Sequence, residues 1–374
     1  MSGSVVNGTT TNTGTFTAEG GTLAAVANNG GTATLSDTTA GAVTNASGAT
    51  FSATGGTLAS AANSGTMTLG TGNTVSGMTT NTGTLTAEGG TLAAVANNGG
   101  TATLSDTTAG AVTNASGATF SATGGTLASA ANSGTMTLGA GNTVSGDVTQ
   151  TAGSLTLDGN TVDGTVAANG GTFDVASAGS TAGSLSGTAS GTLDGTLDLT
   201  KASSTYSGGM SGSGGLTVSG GTETLTGANT YTGATTISGG TLALNGTGSI
   251  ADSSTVDVAQ NGMFDISQTN SGASVKDMGG AGGIDLGSQT LTLTAADPDT
   301  VYSGVASGSG GLTVSGGTET LSGANTYTGV TTVASGAGLS LPGSVAGALT
   351  TAGTTDVNGG TVAGTTTNTG TLTA

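Results

Sequence analysis

The chain has 374 residues, 75 of them glycine and only 2% aromatic, and its formal net charge of −18 comes from 20 acidic residues against two lysines, with no arginine, histidine or cysteine. Such a balance excludes clamping of nucleic-acid phosphates or anionic membrane surfaces. It also excludes His- or Cys-based nucleophilic catalysis, the usual zinc sites and a disulfide framework.

The stretch Gly14 to Asn29, GTFTAEGGTLAAVANN, reads as two short strands. Thr15, Phe16 and Thr17 alternate polar and apolar side chains, as a half-buried strand must. Glu19-Gly20-Gly21 turns the chain, a second strand carries Leu23 and Val26, and Asn28-Asn29-Gly30 turns it again, these being residues that tolerate left-handed backbone. The pattern restarts at Gly31, Gly48, Gly65 and Gly83, at spacings of 17, 17, 17 and 18 residues. One such unit cannot bury its own apolar stripe, but stacked units can, so the period predicts a β-solenoid. Disorder is the competing reading of so simple a composition. It fits poorly with 6% charged residues and a periodic apolar pattern.

Four such coils make 69 residues, and residues 10–77 recur as 79–146 with two differences, Phe16 to Leu85 and Thr71 to Ala140. Copying a whole number of coils is what a solenoid tolerates, because each coil touches only its neighbours. Within the coils Thr15/Thr17, Thr32/Thr34, Thr66/Thr68 and Thr84/Thr86 form a Thr-x-Thr element. With the middle residue inward, these threonines are expected in outward ranks, interrupted at Ala49-Thr50-Phe51, on a surface suited to ice or glycans. The rhythm continues more loosely to about residue 200, through GSLTLDGN, GTFDVAS and GTLDGTLDLT. Residues 1–200 are therefore taken as a short-coil solenoid, 201–345 as a region of longer repeats, and 346–374 as a return to short coils.

In the second region, residues 212–236 recur at 308–332, an offset of 96, with changes only at Thr226 (Ser322) and Ala234 (Val330). The run GGTETLTGANTYTGATTISGGTLAL, Gly220 to Leu244, resembles the passenger-associated repeat of bacterial autotransporters. The shared positions are Gly227, Asn229, Tyr231 and Gly233, matched by Gly323, Asn325, Tyr327 and Gly329. The second copy follows GANTYTGVTTV with ASGAGLSLPGS instead of Gly-Gly-Thr-Leu, so it is degenerate and lacks the cue for its last strand. Glu223 and Glu319 stand where that family more often has an apolar or small residue, and both are expected to face outward. Tyr231 and Tyr327 are expected to pack at a corner of the coil rather than meet a ligand.

The resemblance implies a right-handed parallel β-helix, all-β and elongated, with coils of about 17–24 residues. It implies a place outside the cell or on the outer surface of a Gram-negative bacterium. The expected function is a non-enzymatic stalk or adhesin scaffold, with no cofactor and no metal, whose partners are host-cell or matrix glycans or further copies stacked end to end. A self-assembling filament or surface-layer protein and an ice- or glycan-binding solenoid are the alternatives. MSGSVVNG is not a signal peptide and no apolar run could span a bilayer, so the expectation is a stretch of a longer passenger, or export without a cleavable leader.

Two remaining features read as turns. Asp297 and Asp299 are the one close acidic pair, in the turn sequence Asp-Pro-Asp. GGAGGIDLG, Gly279 to Gly287, approaches a calcium-binding nonapeptide, but Asp285 falls one residue late and the pattern occurs once, which favours a Gly-rich loop.

Overall fold

The computed structural model describes all residues from Met1 to Ala374. It is all-β, without a helix, and its strands pair in parallel from coil to coil as a β-solenoid. Two compact units, Met1–Ser180 and Thr181–Ala374, divide the chain.

In the first unit the coils contribute a strand of the Thr15–Glu19 kind and one of the Thr22–Asn28 kind, which run together as Thr32–Asn45 and Thr50–Asn63 in two of them. Their registers are set by period-2 alternation, since a one-residue slip would turn the apolar side chains to solvent. Phe16, Ala33, Phe51, Met67, Leu85, Ala102, Phe120 and Met136 lie in one rank. Two residues on in each strand, Ala18, Leu35, Ala53, Leu69, Ala87, Leu104, Ala122 and Leu138 form the next rank. In most coils a large residue in one rank goes with a small one in the other, as Phe16 with Ala18, Ala33 with Leu35, Phe51 with Ala53 and Ala102 with Leu104, whereas Met67 with Leu69 and Met136 with Leu138 are both large. Where large meets small, the pair fills the thin interior without a void, as close packing demands.

At one corner the turn position is left-handed in every coil from Gly20 to Gly159. Gly occupies it except at Asp37 and Asp106, whose φ values are 50° and 48°. At the other corner Asn12, Asn28, Asn45, Asn63, Asn81, Asn97, Asn114 and Asn132 are buried and stacked. Each side-chain amide donates to the next Oδ1 at 2.8 Å, and Asn132 donates to Gln150, where the ladder ends against Ala168. The same amides reach backbone carbonyls, such as Asn28 to Thr50 at 2.8 Å. The corner therefore has little unmet polarity despite its burial.

The second unit has longer coils. Leu216 pairs with Thr235, and Val256 with Met278, 19 and 22 residues on. Farther along they shorten again, Leu349 pairing with Thr366. Leu, Val, Ile and Phe fill the interior, with four tyrosines, Tyr206, Tyr231, Tyr302 and Tyr327, among its largest buried side chains.

Candidate functional site

In the first unit the Thr ranks are real and more continuous than the sequence suggested. Thr15, Thr32, Thr50, Thr66, Thr84, Thr101, Thr119 and Thr135 stack in register, and all eight are exposed. The expected interruption at Thr50 does not occur: Thr50 stands between Thr32 and Thr66, and Ser52 between Thr34 and Thr68. Thr17 is exposed, whereas Thr34, Thr68 and Thr86 are half-buried because coils flank them on both sides.

The second unit holds the segments that share the 96-residue offset. Asn229 and Asn325 are buried corner residues. Asn229 Oδ1 accepts from the Met210 amide at 3.0 Å, while its amide donates to Gly227 O at 3.1 Å and Ser249 O at 3.0 Å. Asn325 repeats this with Ala306 N at 2.9 Å and Gly323 O at 3.2 Å. Two residues on, the hydroxyls of Tyr231 and Tyr327 hydrogen-bond Thr235 and Thr331 at 2.7 and 2.6 Å. Thr235 continues to Ser253 at 2.9 Å, and Ser253 donates to Gly233 O and Thr255 O. An Asn that holds the corner amide and a Tyr that closes the turn from inside thus recur as one device. Gly233 and Gly329 lie so close to the previous coil that a Cβ would stand 2.3 and 2.2 Å from the carbonyl oxygens of Gly214 and Gly310. The family model of the passenger-associated-transport-repeat matches residues 220–244 and 316–341.

The chain carries two passenger-associated transport repeats. No curated protein and no solved structure matches it significantly. The repeat family implies surface or secreted localisation.

In the second repeat the closing strand forms without its sequence cue: Gly338–Ser340 pairs with Thr318–Thr320, and Leu339 is buried. A larger correction concerns Glu223 and Glu319, which point inward and are 0% exposed. Period 2 decides this, because each Glu shares its face with the Leu two residues on, Leu225 or Leu321, and stacks on Leu242 or Leu339 of the next coil. Glu223 Oε2 accepts from Ser184 Oγ at 3.0 Å and from the Leu185 amide at 3.4 Å, leaving Oε1 unpartnered. Neither oxygen of Glu319 has a partner. Burial pushes the Glu223 carboxyl from 4.5 up to about 8, opposed by its two donors. Burial, helped by the nearby Asp277, pushes Glu319 up to about 9. Burial likewise holds all four tyrosines above their usual range.

The two turn features resolve differently. Asp297 Oδ1 accepts from the Asp299 amide at 3.0 Å, closing the expected turn. Residues 279–287 are not a simple loop, since Met278–Gly280 and Gly283–Asp285 are strands. Asp285 stacks on Asp265 and accepts from its own Gly287 amide at 2.8 Å. A polar groove of about 390 Å³ in the same unit is lined by Thr247, Ser249, Ser274, Thr290 and Thr292.

Proposed function

We propose that the chain is part of an autotransporter passenger: a non-catalytic extracellular scaffold displayed on the outer surface of a Gram-negative cell, spacing or presenting an adhesive region. The observation that carries this reading is the presence of two passenger-associated transport repeats within a parallel-β solenoid. A chain without cysteine can cross a secretion pore uncrosslinked and fold afterwards by stacking coil on coil. Fused between a secretion leader and an autotransporter barrel, it is expected to reach the surface of intact cells, where added protease removes it. Retention of the fusion behind the outer membrane would refute the proposal.

A second role rests on the rank of eight exposed threonines. It offers the same hydroxyl at every coil, so weak contacts with a repeating glycan would add through multivalency. Cells or glycan-coated beads should be retained by the displayed chain and released when alternate threonines of the rank, Thr32, Thr66 and Thr101, are replaced by lysine. Equal retention by the lysine variant would sink this second role.

A further inference from the structure

Three carboxylic acids are buried in this protein, Glu223, Asp277 and Glu319, and all lie in the second unit. The two glutamates occupy equivalent positions 96 residues apart, each in a Thr-Glu-Thr-Leu strand, so the same anomaly is built into both transport repeats. A buried carboxylate is tolerable when a cation or several donors meet it. No cation meets either glutamate; Glu223 has two donors on one oxygen and none on the other, and Glu319 has none. The chain has no arginine or histidine. Lys201 is exposed, and the amine of Lys276 donates to the Asp252 carbonyl at 2.7 Å. The titratable groups near Glu319 are Asp277, Tyr302 and Tyr327, each neutral or negative. On the strands paired with that of Glu223 the titratable group is Tyr206, and the other neighbours are Ser184, Leu185 and Leu242.

We infer that the two buried glutamates make folding of the repeat region proton-linked, so that its coils close around neutral carboxyl groups in acidic or neutral surroundings and loosen in alkaline ones. This goes beyond surface display and does not depend on it. Below about pH 4.5 both carboxyls are neutral whether the chain is folded or not, and they add no pH dependence. Above it the unfolded chain releases protons that the folded chain keeps. Stability therefore falls as pH rises toward about 8 for Glu223 and about 9 for Glu319. Within that window each carboxyl raises the unfolding constant roughly tenfold per pH unit, and the pair roughly a hundredfold.

All four tyrosines of the chain are buried in this unit and there is no tryptophan. Tyrosine fluorescence thus reports on the repeat region while the first unit stays silent. The test is urea unfolding of the full chain followed by that signal between about pH 5.5 and about pH 7.5, comparing wild type with Glu223→Gln/Glu319→Gln. The wild-type unfolding constant should climb roughly a hundredfold per pH unit more steeply than that of the double variant, and each single variant should remove one factor of about ten. If the double variant fails to fold, Glu223→Leu and Glu319→Leu, which extend the ranks of Leu242 and Leu339, supply the same comparison. Parallel pH profiles in wild type and either set of variants would overturn the inference.

Discussion

The asparagine ladder lends itself to a sharp test at Asn81, in the middle of the first unit. This side chain is fully buried. It accepts from Asn63 at 2.8 Å and donates to Asn97 Oδ1 at 2.8 Å, to Thr101 O at 3.0 Å and to Gly83 O at 3.1 Å. Asn81→Ala removes both rungs at once. Asn63 keeps Gly65 O and Thr84 O as acceptors, whereas Asn97 Oδ1 loses the side-chain donor that reaches it. Two buried hydrogen bonds at about 1 kcal/mol each, plus about 1–3 kcal/mol for the stranded acceptor, give a loss of roughly 3–5 kcal/mol. Asn12→Ala, on the first rung, removes one rung and leaves Asn28 Oδ1 without its side-chain donor, so it should cost about 1 kcal/mol less, roughly 2–4 kcal/mol. Urea unfolding followed by far-UV circular dichroism measures both. If Asn81→Ala and Asn12→Ala destabilise equally, or Asn81→Ala costs less than about 0.5 kcal/mol, the ladder is not a cooperative column and the reasoning fails.

Other substitutions probe other elements. Gly110→Ala would place a Cβ 1.9 Å from the Ala93 carbonyl oxygen, so a loss of roughly 3 kcal/mol or more in the same unfolding assay is expected; an unchanged midpoint would contradict the close approach of the coils. Asp37→Gly gives a left-handed corner the residue its neighbours already use, and thermal unfolding should show a change within about 1 kcal/mol, toward greater stability. A clear loss would mean that the Asp37 side chain matters more than its backbone. Tyr231→Phe and Tyr327→Phe break the bonds to Thr235 and Thr331 while keeping the ring. Each should cost about 1–2 kcal/mol by urea unfolding, and no loss in either would deny the hydroxyl a part in the turn.

Much of this architecture is legible in the sequence because the solenoid repeats its instructions. The recurring Gly-Thr-x-Thr, the Asn and Gly corners and the 69-residue copy specify coil, register and Thr rank together. Legibility fails where two rules conflict. Glu223 and Glu319 invite an outward placement by their polarity, yet the alternation that buries Leu225 and Leu321 buries them too. The strand Gly338–Ser340 lacks its own cue because the register comes from its partner Thr318–Thr320. The corner asparagines were readable as turn residues. That their side chains join into a buried column is a property of stacked coils, visible only when each corner is set above the one before.

The hydrogen-bond steps along that column are 16, 17, 18 and 18 residues, and then 16, 17, 18 and 18 again. The seam between the two copies, near Met78, is bridged by Asn63 and Asn81 with the same 2.8 Å bond as the other asparagine–asparagine rungs. A duplicated block of four coils therefore meets its neighbour through the same kind of asparagine rung that joins the coils within each block. The gene can lengthen this protein in increments of 69 codons, each adding about 19 Å of coil at about 4.8 Å per rung. Recombination between such near-identical blocks can shorten it by the same step, making reach a quantity that changes in whole units while the local fold stays the same.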